Sequence, residues 1–183
     1  ELIDATIRAV HRRGYATVTM AEIAAEAGAS AASINYYFGS KDKLMEATMR
    51  RLLTLLKSAM LERYVGAIGP EQRLMAVLDA NFSDRLFTTE QCSLWMQFWA
   101  NAPYSPALAR LHRINRARVH SHFRAELAGL VPADRLETVR TTLQSYMDGV
   151  WVEAAQSETP TDPARARAEA RRVAGLLLET SAL

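Results

Sequence analysis

The stretch TMAEIAAEAGASAASINYYFGSKDK, residues 19–43, decides how the chain is read. Thr19, followed three residues later by Glu22, has the form of a capping box. In it the Thr hydroxyl accepts from the Glu22 backbone N–H, and the Glu22 carboxylate reaches back to the N–H of Thr19. Met20, Ile23, Ala24 and Ala27 then share one helical face, and Gly28 is placed to end that helix in the left-handed conformation. Ser30 is a cap for the next helix. Only Gly28 and Ala29 separate these signals, so the two helices must cross sharply, and the small Ala24, Ala25, Ala27 and Ala29 let them approach. Ile34 and Phe38, four apart, anchor the second helix inward and leave Ser33, Asn35, Tyr36 and Tyr37 to its other faces. Ser40 caps a third segment that begins at Lys41. This is the pattern of a helix-turn-helix, which places its second helix in the major groove of DNA. The plainer alternative is a hairpin used only for packing, but tyrosines beside serines and an asparagine are poor choices for a face that meets only water.

Outward from this stretch the whole chain reads as helix, with Gly and Pro punctuating amphipathic runs. A helix is expected over about 2–13, ending at Gly14, with Leu2, Ile3, Ala5, Thr6, Ala9 and Val10 inward. After Ser40 a long helix runs to about residue 65, with Leu44, Leu52, Leu55, Leu56 and Ala59 at helical spacing, and Gly66 and Gly69-Pro70 end it. Five more are expected at about 71–87, 89–101, 105–128, 133–157 and 163–179, broken at Pro103, Pro106, Pro132, Pro160 and Pro163. The expected fold is all-α with about nine helices: a helix-turn-helix domain over residues 1–45, then a larger helical ligand-binding and dimerisation domain over 46–183. With 183 residues, 49% of them apolar, the chain can bury a substantial core.

The charge balance is less suggestive. The net charge is +2, and residues 1–50 carry six Lys/Arg against six Asp/Glu. A nucleic-acid binder usually shows a basic footprint. The chain starts at Glu1 already inside a helical pattern, so a basic arm ahead of it is one expectation. Cys92 is the single cysteine, which suits a reducing cytoplasm and allows no disulfide within these residues. No run approaches a membrane span and no secretion signal is visible.

The run GASAASINYYFGSK, Gly28 to Lys41, resembles the TetR family of bacterial repressors, whose helix-turn-helix ends in an aromatic-rich run, a Phe, a short link and a Lys. The resemblance covers about 50 residues, with caps, glycine, core positions and lysine in register. It implies a homodimer that inserts two copies of the reading helix into an inverted-repeat operator in double-stranded DNA. Ser33, Asn35 and Tyr36 are the candidates for base contacts, and Thr19, Ser30, Tyr37 and Lys41 for phosphates.

The larger domain carries an aromatic cluster. Trp95, Phe98 and Trp99 fall within roughly a 100° arc of one helix, and Tyr104 follows just past its end. Tyr146, Asp148 and Trp151 lie on a later helix, where Asp148 and Trp151 are surface neighbours. Gly149 sits mid-helix, where a glycine costs stability and is expected to mark the close approach of a partner helix or ligand. Ring faces plus a carboxylate suit a quaternary ammonium, which cannot donate hydrogen bonds and is attracted by the ring quadrupole. Ordinary core aromatics, with Asp148 capping or pairing with an arginine, are the alternative. The runs LWMQFWANAPYSPALARL (94–111), INRAR (114–118), DGVWVEAA (148–155), EATMRRL (46–52) and EQRLMAVLDANF (71–82) look like the BetI branch of the TetR family. That branch represses genes for making glycine betaine from choline, so the resemblance implies choline or a similar cation as effector. Asn35-Tyr36 is not typical of the branch, so the operator sequence is open. An apolar effector such as a drug or acyl compound, or an all-helical enzyme or carrier that does not bind DNA, are the competing readings.

Other residues attract plainer readings. His120 and His122 point to different sides of a helix, so they cannot share a metal there, and His11 and His112 have no partner at ligand spacing. No metal or cofactor is expected, and no catalytic arrangement has motif context. Cys92 reads as a small core residue. Arg165, Arg167, Arg171 and Arg172 read as a solvated face countered by Glu169 and Glu179, with Val173, Ala174, Leu176 and Leu177 on the apolar side. Leu143, Met147, Val150 and Ala154 form a stripe off the side of Trp151 and Asp148. With the last helix it would meet a partner subunit or close the monomer core; spacing does not separate the two.

Overall fold

The computed structural model describes residues 1–179. Over these residues the chain forms nine α-helices and no strand. They are α1 (Leu2–Arg13), α2 (Met20–Glu26), α3 (Ala31–Phe38), α4 (Lys41–Tyr64), α5 (Gly69–Asn81), α6 (Thr89–Asn101), α7 (Pro106–Leu127), α8 (Leu136–Gln156) and α9 (Pro163–Glu179), with a single 3-10 turn at Ala102–Tyr104 before α7.

The local signals act as the sequence suggests. Both bonds of the Thr19–Glu22 capping box are made. Gly28 takes φ +63° at the bend between α2 and α3, a conformation that costs a residue with a Cβ. The Ser30 hydroxyl accepts from the Ser33 N–H, and the Ser40 hydroxyl from the Lys43 N–H. Thr88 and Ser105 cap α6 and α7 in the same way.

Around these helix ends α1, α2, α3 and the first turns of α4 close a small core of Ile7, Val10, Val18, Ile23, Ile34, Leu44, Met45 and Met49. Each such side chain contributes about 1.5–3 kcal/mol when fully buried. Ile7 joins the inner face of α1, and Leu2 and Ile3 are only half-buried. α4 then leaves this unit and packs along α5 in the larger domain, burying Leu52 and Leu53.

The larger domain departs from the sequence reading in three places. The helix expected over 71–87 stops at Asn81. Asn81 donates its side-chain amide back to the Val77 carbonyl, and Phe82 turns inward to complete burial against the Phe87 ring, centroids 5.1 Å apart. Arg167 of α9 donates to the Phe82 carbonyl, beyond the last turn of α5, at 2.7 Å. Second, the C-terminal arginines are not simply solvated. Arg165 pairs with Glu169 as expected, but Arg167 reaches Asp84, and Arg171 grips the buried Asp79, which Arg63 of α4 also reaches at 3.3 Å. These pairs hold α9 against α5 while Ala166, Ala170 and Ala174 let the backbones approach. Third, Leu143 and Met147 are buried inside the monomer, so only Val150 and Ala154 of the expected partner-facing stripe remain partly exposed. Cys92 is fully buried between these layers, and burial pushes its thiol up to about 12.

Candidate functional sites

The first site is the outer face of α3. Ser33, Asn35, Tyr36 and Tyr37 are all exposed, the two tyrosines at 85% and 79%. Their rings meet edge to face at 5.5 Å, which limits their freedom. Large rings displayed to this degree on a short helix, itself fixed from behind by Ile34, form a surface without an intramolecular use. Thr19 and Ser30 sit at the helix N-termini flanking it, their hydroxyls also engaged in capping. Lys41 is placed otherwise than the sequence suggests. Its ammonium donates to the carbonyls of Tyr15, Ala16 and Val18 at 2.8, 3.2 and 3.1 Å and lies over the Tyr15 ring. All three of its donors are thus occupied, and its work is to tie α4 to the link between α1 and α2. Tyr15 donates its own hydroxyl to Asp42, and burial with that carboxylate raises its pKa.

The second site is a cavity of about 380 Å³ enclosed by α4, α5, α6, α7 and α8. Trp95 and Trp99 of α6 and Trp151 of α8 form one wall. Trp95 is the hub: its ring centroid lies 6.2 Å from Trp99 and 6.0 Å from Trp151, at interplanar angles of 52° and 79°. Phe87 supports Trp151 from behind, edge to face at 5.5 Å. Asp148 enters the same cavity one turn before Trp151. Burial raises its carboxyl pKa, and Arg116, at 4.0 Å, opposes this only in part. The carboxylate is therefore short of compensation, as an unfilled countercharge would be. His112 lies beside it, its pKa lowered by burial and then by Arg116, which favours the neutral ring. Two buried polar atoms on the lining residues, the Trp95 indole N–H and the Asn115 side-chain Oδ1, have no hydrogen-bond partner among the described residues.

The structure thus brings together Trp95, Trp99, Trp151 and Asp148. It does not bring in the other three candidates. Phe98 is completely buried and meets His112 edge to face behind the wall, Tyr104 is 87% exposed on the 3-10 turn, and Tyr146 lies half-buried on another side of α8. Sequence reasoning missed Leu56 of α4 and Asn115 and Arg116 of α7, all of which line the cavity. The INRAR run contains the latter two, but nothing in its spacing says which face of α7 turns inward.

The two ends of the chain match known families. Residues 2–48 match bacterial regulatory proteins of the tetR family, and residues 70–179 match the BetI-type transcriptional repressor C-terminal domain. The chain is 37% identical over 179 residues to the HTH-type transcriptional regulator BetI of Burkholderia cenocepacia, covering 97% of this chain and 92% of that one. Among solved structures, a transcriptional regulator from Rhodococcus sp. Rha1 superposes with a TM-score of 0.82 at 21% identity, covering 100% of this chain and 96% of that one. A transcriptional regulator from Saccharomonospora viridis, solved in complex with choline, superposes with a TM-score of 0.79 at 20% identity, covering 93% and 92%. With the tetR-type reading unit at its N-terminus and the BetI-type domain after it, the chain belongs to the TetR family, as a BetI-type transcriptional repressor and not an enzyme.

Proposed function

We propose that this repressor senses choline or a similar quaternary ammonium, and that the cavity walled by Trp95, Trp99 and Trp151 is where it binds. The observation that carries this is the half-buried, incompletely paired Asp148 set among three tryptophan rings. A methylated ammonium gains from ring faces about 2 kcal/mol when desolvated, and from the carboxylate a countercharge. The BetI relatives and the choline-bound neighbour of the same fold support the same ligand class. An uncharged apolar effector would fill the cavity but leave Asp148 with only the weak pairing to Arg116.

Two copies of the chain would read an inverted repeat. Ser33, Asn35 and Tyr36 would meet base edges, while Thr19, Ser30 and Tyr37 would meet phosphates, with Lys41 bracing the unit behind them. The outer faces of α8 and α9, including the half-buried Val150, Ala154 and Val173, would form the two-fold contact, and the repressor would act in the cytoplasm. Two connections run from cavity to reading unit. Leu56 is in the cavity wall and on α4, whose first turns belong to the reading unit. α6 carries Trp95 and Trp99 on one side, while on another the Gln97 side-chain Oε1 accepts from the Tyr15 backbone N–H at 3.4 Å. A ligand that prefers one setting of α4 and α6 shifts the spacing of the two reading helices; equal affinity for both would shift nothing.

The test is binding of the dimer to its own upstream DNA with and without millimolar choline, in the wild type and in Trp99→Ala. Choline should weaken the wild-type complex and act far less on Trp99→Ala. Tight DNA binding indifferent to choline would leave the repressor and remove the cage.

A further inference from the structure

The aromatic cavity opens into a second, wider cleft of about 600 Å³ between α7 and α8, and the two share Trp99, His112, Arg116 and Gln144. The chemistry changes along the way. Arg113, Arg116 and Arg140 line the outer cleft with His120, and among the described residues no carboxylate does. Arg140 is held rigidly, donating to Glu137, Gln144 and Thr141 at 2.8 Å each. Glu137, the carboxylate beside Arg140, already faces His120, Arg124 and Arg140, and Asp148 reaches Arg116 only at 4.0 Å from the inner cavity. Arg113 is exposed and makes no hydrogen bond or ion pair among the described residues. A bare cation entering by this route meets uncompensated positive charge at the door, and once seated offers nothing to the arginines.

We propose that the effector is a trimethylammonium compound that also carries an anionic group on a short arm, its head among the tryptophans beside Asp148 and its anion held by Arg113 and Arg116. The inference rests on the quaternary ammonium reading above and narrows it. Arg116 and Asp148 stand 4.0 Å apart, at the limit of an ion pair. A ligand with both charges replaces each partner by its own: the ammonium takes the place of Arg116 beside the carboxylate, and the released guanidinium turns to the anion. No charge is left unpaired, which the low-polarity wall of the cavity favours. A guanidinium pair matches a carboxylate or a phosphate monoester in two-pronged geometry. A short arm is required, because the two charges of the ligand must replace two charges this close.

Tryptophan fluorescence of the full chain reads the site directly, since the three tryptophans of the chain all line the cavity. Choline, glycine betaine and phosphocholine are titrated in parallel, and the last two distinguish a carboxylate arm from a phosphate arm. At least one of these zwitterions should bind about tenfold more tightly than choline, and Arg113→Gln should reduce that preference about tenfold. Arg113→Lys, which keeps the charge, should retain most of it. Choline binding as tightly as both zwitterions, or a preference that survives Arg113→Gln, overturns the assignment while leaving the cage in place. Failure of all three compounds to bind removes the quaternary ammonium reading itself, and this inference with it.

Discussion

Replacing Asp148 by Asn isolates the charge of the aromatic site from its shape. A methylated ammonium seated against the rings brings its charge to about 5 Å from the carboxylate, worth ~3 kcal/mol at an effective dielectric constant of about 20. The Asp148 side chain is 45% exposed, so water screens much of this, and ~1–1.5 kcal/mol is the better expectation. That corresponds to about a tenfold rise in Kd for choline. The ligand-free protein should respond in the opposite sense. Burial holds the folded pKa of Asp148 above its ordinary 3.8. Between the two values the folded state retains a proton that the unfolded chain has released, so stability falls as pH rises through that window. At neutral pH the ionised carboxylate therefore burdens the fold. Asp148→Asn should melt higher than the wild type at pH 7, and the difference should vanish below the ordinary value. Choline affinity of the wild type should also fall as pH is lowered through the raised pKa, and that of Asp148→Asn should not. Fluorescence titration and thermal melting on the same samples give both numbers. Unchanged choline affinity would refute the countercharge. A lower melting temperature at pH 7 would show that Asp148 is chiefly the structural partner of Arg116.

Asn35→Ala and Tyr36→Ala should each weaken operator binding by about 1–3 kcal/mol in a gel-shift titration without dissociating the dimer; unchanged affinity in both would displace α3 from the groove. Asp79→Ala removes the buried carboxylate that joins Arg63 of α4 to Arg171 of α9, and should destabilise the protein by about 1–3 kcal/mol in denaturant unfolding. Cys92, buried and with its thiol pushed up to about 12, should resist thiol reagents at neutral pH in the native protein and react only as fast as the fold opens.

Much of this protein is written in short-range signals. A Thr three residues before a Glu, a glycine at a bend and serines ahead of helices act within one turn of backbone, and Thr19, Gly28, Ser30 and Ser40 serve in the structure as their spacing suggests. The order and nature of the nine described helices, and the exposed face of α3, follow from the same local physics because Ile34 has only one side on which to be buried. The aromatic residues of α6 and α8 could also be singled out, but not sorted. Phe98 and Trp95 are only three residues apart on one helix; a slight rotation of α6 against α7 and α8 decides which lines the cavity and which packs behind it, edge to face with His112. The same holds for the stripe of α8, where Met147 faces the cavity and Val150 does not. Long-range partners were beyond reach altogether: the end of α5, where Arg167 takes the Phe82 carbonyl, the docking of Arg171 on Asp79, and the turning of Lys41 onto three carbonyls each depend on groups 23 to 92 residues away in the chain. Periodicity states that a helix has an apolar side, and capping states where it begins. Which neighbour that side meets, and therefore whether a tryptophan is core or cage and whether an arginine is solvated or clasped, is decided only when the helices pack.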